Sequence, residues 1–142
     1  MNCDEIINEI RRLELPLNKF VVFGSAPLCM RKLRESSDID LLVTEDLFDE
    51  LITKRGWKPR MALSGSDSAY IGDVEAFKDW PGVSDPKKVI EEADVFEGVP
   101  FAKLHYILDW KKSSGREKDS ADIEIIEKHF KEEKEKVENK GM

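Results

Sequence analysis

The sequence predicts an α/β domain on a small mixed sheet, with helices packed mainly on one side, and three observations carry that prediction. Phe20-Val21-Val22-Phe23 is an uninterrupted apolar, β-rich run of the kind that makes a buried strand, and Gly24-Ser25 stops it abruptly. Asp38-Ile39-Asp40-Leu41-Leu42-Val43 alternates, so that Ile39, Leu41 and Val43 turn to a core while Asp38 and Asp40 share the other face. Elsewhere, apolar residues recur at helical spacing.

Taken in order, Ile6, Ile7, Ile10 and Leu13 give an amphipathic first helix closed by Pro16. After the first strand, Ala26 to Leu33 suits a helix with Pro27 in its first turn. Thr44 caps a helix over Glu45 to Thr53, with Leu47, Phe48, Leu51 and Ile52 on the sheet. A short strand around Met61 to Leu63 pairs, through Ser64-Gly65-Ser66-Asp67-Ser68, with a strand from Ala69 to Phe77. Val99 to Lys111 reads as a helix entered through Pro100, with Phe101, Leu104 and Leu108 on one face, broken at Ser113-Ser114-Gly115. A last helix runs from about Asp119 to Phe130 on the stripe Ile123, Ile126 and Phe130, and a Glu/Lys tail from Glu127 is a solvated helix that frays before Gly141. Trp57, Trp80 and Trp110 read as core and rim packing; His105 and His129 have no partner at metal spacing and are assigned no chemistry.

Length and charge narrow the options. The 142 residues suit one core, a single domain over 1–142, and 40% hydrophobic content is enough to build it. No apolar run approaches a membrane span, and the segment to Arg12 is acidic and amphipathic instead of a signal sequence, so a cytoplasmic protein is expected. Cys3 and Cys29 show neither a disulfide framework nor metal spacing, and reduced thiols follow as the default. A net charge of −7 argues against extended nucleic-acid binding.

Asp38 and Asp40 are the most informative pair. Residues two apart on a strand have backbones roughly 6.5 Å apart, within reach of one divalent ion. Without a cation, two carboxylates about 4 Å apart at an effective dielectric of 20 repel by roughly 4 kcal/mol. The bland alternative is two solvated acids at an exposed strand end. Against it stands the preceding strand, glycine-serine turn and helix start, which offer backbone N–H groups and the Ser25 hydroxyl to phosphate oxygens, with Gly24 allowing close approach. Arg31, Lys32 and Arg34 add positive charge nearby, although a solvated helix face explains at least two of them.

Gly24-Ser25, twelve residues, then Asp38-Ile39-Asp40-Leu41 resembles the signature of the nucleotidyltransferase superfamily related to DNA polymerase beta, particularly its small stand-alone members. The resemblance implies the nucleotidyltransferase fold, a small mixed sheet flanked by helices with further helices at the C-terminus. It also implies a turn at Gly24 and Ser25 that holds a nucleoside triphosphate, two Mg²⁺ (or Mn²⁺) on Asp38 and Asp40, and a third acid on a nearby strand. Glu75, followed by Ala76-Phe77, fits that place best, with Asp73 as its substitute on the same strand face; an aspartate is commoner there in the family.

A second stretch, Trp110-Lys111 through Gly115-Arg116-Glu117-Lys118-Asp119 to Asp122-Ile123, resembles the C-terminal segment of many such proteins, so the likeness spans about residues 19 to 130. Lys111, Arg116 and Lys118 lie where one helix ends and the next begins, within reach of a polyphosphate opposite the acids; for Lys111 a solvated lysine is the equal alternative. Asp119 and Asp122 sit at a helix start, where capping plus ion pairing is the bland alternative, and for Asp119 the cap is preferred. The activity implied is transfer of a nucleoside monophosphate, AMP from ATP, to the hydroxyl of a protein, an RNA end or a small molecule. The alternative is a catalytically weak binding module, such as one half of a toxin–antitoxin pair with a protein partner.

Overall fold

The computed structural model describes residues 2–34, 36, 38–61 and 67–140, the last three as backbone. Along them run α1 (Cys3–Arg12), β1 (Phe20–Phe23), α2 (Ala26–Met30), β2 (Ile39–Val43), α3 (Glu45–Thr53), β3 (Lys58–Met61), β4 (Asp67–Ile71), β5 (Val74–Phe77), α4 (Pro86–Glu91), β6 (Asp94–Phe96), β7 (Val99–Phe101), α5 (Leu104–Ser114), a 3₁₀ turn (Glu117–Asp119) and α6 (Ser120–Lys140). The strands form one mixed sheet in the order β3-β4-β5-β2-β1-β7-β6. β2 runs antiparallel to β1 and parallel to β5, in a register that sets Asp40 beside Phe23 on one side and Glu75 on the other.

Helices cover both faces of this sheet, which corrects the expectation of a one-sided arrangement. On one face Ile6, Ile7 and Ile10 of α1 and Leu47, Phe48 and Leu51 of α3 meet Phe20, Val22, Leu41 and Val43. On the other, Val89 and Ile90 of α4, Leu104 and Ile107 of α5 and Ile126 of α6 meet Val21, Phe23 and Leu42. The apolar run of β1 is the sequence mark of burial on two sides, since a strand with one wet face alternates. Each such side chain contributes about 1.5–3 kcal/mol by leaving water.

Several local readings hold. α3 starts where Thr44 Oγ1 accepts from the Leu47 N–H at 3.4 Å, α5 ends at Ser114, and α1 follows its stripe. Among the described residues no helix is long and apolar enough to cross a membrane. Others need correction. α2 stops at Met30, short of Leu33. The strand read over 69–77 is the hairpin β4–β5, turned at Gly72-Asp73, so Tyr70 pairs with Glu75 and Ser68 with Phe77. Asp73 therefore sits in an exposed turn and not on a strand face. The expected strand near Met61 begins earlier, at Lys58; Ala62 to Ser66 lie outside the described residues. Pro100 is in β7, not at a helix start. A two-residue turn, Glu97-Gly98 with φ of 50° and 81°, folds β6 back on β7 and sends Val99 and Phe101 into the core.

The expectation of reduced thiols is also corrected: Cys3 and Cys29 are joined in a disulfide, with Cα atoms 5.8 Å apart, that ties α1 to α2 across 26 residues of sequence. The cross-link restricts the unfolded chain. Reduction is expected to lower stability by about 3 kcal/mol, read as a fall in the urea midpoint with dithiothreitol; an unshifted midpoint would show that the bridge constrains nothing.

Candidate active site

The middle of the sheet delivers the site. β1 ends at Phe23, and Gly24 takes φ +66° to turn the chain into α2. The turn lies against β2 so closely that a Cβ on Gly24 would stand 2.7 Å from Asp40 Oδ2. Only a hydrogen fits there, and left-handed backbone adds to the cost of any side chain. Gly24→Ala is expected to lose about 1–3 kcal/mol of stability to the left-handed backbone and more to the clash, and only the part due to the clash is recovered in an Asp40→Ala background. Equal losses in both backgrounds, measured by chemical unfolding, would mean that Asp40 does not fill that space.

Asp38 and Asp40 stand at the junction of two openings. A cavity of about 600 Å³ has Gly24, Ser25, Asp38 and Asp40 on its sheet side. A second pocket, about 340 Å³, shares Asp38 and Asp40 and is closed by Arg60, Tyr70, Asp73 and Glu75. The Asp40 carboxyl is pushed up to about 6, first by burial, then by the charges of Glu75 and Asp38, against an opposing pull from Lys111. Negative charge is thus crowded where the openings meet.

The larger cavity is also lined by Arg34, Lys111, Arg116 and Lys118, by Asp119 and Asp122, and by the aromatic rings of Phe77, Trp80 and Trp110. Lys111 is neither solvated nor available as a simple phosphate contact. It is 2% exposed, with Nζ 3.0 Å from Asp119 and 3.1 Å from Asp122. Asp119 is correspondingly a buried ion-pair hub and not a cap, accepting from Lys111, from Ser114 Oγ at 3.1 Å and from Arg116 Nε at 2.7 Å. Burial pushes the Asp119 carboxyl up, but these donors outweigh it and hold it below the usual carboxylate range. Arg34 Nη1 reaches Asp122 at 2.5 Å, tying the segment after α2 to α6. Arg116 lies over the Trp110 ring at 5.1 Å, half exposed, and Lys118 is exposed. Arg31, by contrast, is committed to Asp94 and the Pro27 carbonyl.

The donor set suits a hard divalent ion in kind, since Asp38, Asp40 and Glu75 offer carboxylate oxygens. In placement it is incomplete. Glu75 Oε2 accepts from Ser68 Oγ at 2.5 Å and from Arg60 Nη1 at 3.4 Å. Among the described residues no three His, Cys, Asp or Glu side chains come together as a ready metal site. Sequence reasoning missed Asp79, which also lines the larger cavity and carries no local signal, and it allowed Asp122 ion pairing without naming its partner, Lys111. No known family model, curated protein or solved structure matches the chain.

Proposed function

We propose that the chain is a metal-dependent nucleotidyltransferase of the DNA polymerase beta-like superfamily, moving a nucleoside monophosphate, AMP from ATP, to an acceptor hydroxyl. One observation supports it above the rest: Asp38 and Asp40, with Asp40 pressed against the glycine-serine turn, lie where a cavity lined by both cations and acids meets a second pocket. The cavity's cations and aromatic rings suit a triphosphate and a base, and the second pocket suits an acceptor.

In this reading the Ser25 hydroxyl and the turn's N–H groups hold the β- and γ-phosphates; α2 is too short to add much dipole. Arg116 and Lys118 neutralise the same tail. Asp38, Asp40 and Glu75 would hold two Mg²⁺ (or Mn²⁺), which would supply positive charge to the triphosphate and lower the acceptor's pKa. The acceptor oxygen bonds to the α-phosphorus as the bond to the pyrophosphate oxygen breaks. Pyrophosphate leaves with the bonding electrons, and Glu75 takes the acceptor's proton.

The test is calorimetric titration with ATP and Mg²⁺, coupled to pyrophosphate release in the presence of protein, RNA-end and small hydroxyl acceptors. Metal-dependent binding with transfer supports the enzyme. Glu75's engagement by Ser68 and Arg60 favours the second reading, a weak or inactive binding module; tight association with a protein partner and no nucleotide affinity would establish that instead.

A further inference from the structure

We propose that Arg60 is a further functional residue of this site: it is the exchangeable counter-ion of Glu75, and it must release that carboxylate before Glu75 joins Asp38 and Asp40 on a divalent cation. The inference rests on the metal-dependent reading above. Register places Glu75 directly beside Asp40, yet its Oε2 is drawn toward β4 and β3 by Ser68 and Arg60.

The two holds differ in kind. Both contacts fall on the same oxygen, Oε2, and of the two donors Ser68 is fully buried and the closer. Arg60 reaches in from the exposed edge strand β3 with its side chain 52% exposed, and at 3.4 Å its contact is well beyond the roughly 2.7–2.9 Å of a close charged pair. Its guanidinium also rests on the Tyr70 ring, 4.2 Å from the centroid. A half-exposed cation stacked on an aromatic ring keeps water and the ring when its carboxylate leaves, so release strands no buried charge. Asp40, in register with Glu75 and half-buried, has less freedom, whereas Asp38 is exposed. Arg60 lines the same pocket as Asp38, Asp40 and Glu75 and so stands at the point of exchange.

The experiment is calorimetric titration of Mn²⁺ into the full chain without nucleotide, for the wild type, Arg60→Lys, Arg60→Met, Glu75→Gln and the Arg60→Met/Glu75→Gln pair, with circular dichroism as a folding control. Arg60→Met is expected to tighten Mn²⁺ by about fivefold, the scale of a partly exposed ion pair, Arg60→Lys to stay near wild type, and Glu75→Gln to weaken it. In the Glu75→Gln background the Arg60→Met gain should vanish, since no carboxylate remains to be released. A gain of equal size in both backgrounds overturns the inference and makes Arg60 a bystander charge. So does a Glu75→Gln variant with wild-type affinity. If the wild type binds Mn²⁺ and Asp40→Asn abolishes it, the metal reading stands whichever way Arg60 falls; if the wild type binds none, both go.

Discussion

Asp40→Asn is expected to raise the metal-free melting temperature at pH 8 by up to roughly 10 °C while abolishing metal-dependent nucleotide transfer. The Asp40 carboxyl is pushed up to about 6 in the folded chain, from an ordinary 3.8, by burial first and by Glu75 and Asp38 next. A raised carboxyl binds its proton more tightly folded than unfolded. Its stabilising effect is complete below about pH 4 and is lost as pH climbs through about 6, a loss of about 3 kcal/mol above that. Asparagine carries no charge and escapes the loss, so the advantage of the variant should grow between pH 4 and pH 7 and disappear in acid. Thermal unfolding across that range, in chelator, measures it. A variant less stable than wild type at pH 8 would make Asp40 a structural residue and remove the physical ground for a cation at this position.

Lys111→Met should act in the opposite direction, with a loss of about 3 kcal/mol at neutral pH. The ammonium is 2% exposed, and removing it leaves Asp119 and Asp122, both buried, with only Arg116, Ser114 and Arg34 as donors. An acid dependence comes with it. Asp119 is held below the usual carboxylate range because its hydrogen bonds outweigh burial, so its contribution is present above the unfolded pKa and is lost as pH falls through the lowered folded value. Without Lys111 burial counts for more, and the acid-unfolding midpoint should move to higher pH. An unchanged urea midpoint at pH 7, with an unchanged acid limb, would mean that the ammonium is not needed to hold the two acids.

These expectations show which parts of the site were legible in the sequence. β1, the Gly24-Ser25 turn and α3 with its Thr44 cap are written in patterns a few residues long and form as read, while β2 begins at Ile39 and leaves Asp38, expected on the strand, exposed just before it. Lys111 was visible as a residue but not as a buried one, because its partners Asp119 and Asp122 are brought to it by the turn into α6. The hairpin β4–β5 was read as one strand, since alternation continues across Gly72-Asp73 and only the paired register reveals the fold-back. β7 is three residues long, too short for any period to separate strand from helix. The link from Arg34 to Asp122 joins residues 88 apart, and the disulfide joins residues 26 apart; neither leaves a local trace.

Asp38, just before β2, and Asp40, on it, border both openings, one lined by Ser25 and the other by Glu75. In the proposed transfer the acceptor would approach phosphorus from the Glu75 side and pyrophosphate would leave toward the Ser25 side, in line. The configuration at phosphorus would then invert, and a chiral α-thiotriphosphate would report the stereochemistry directly.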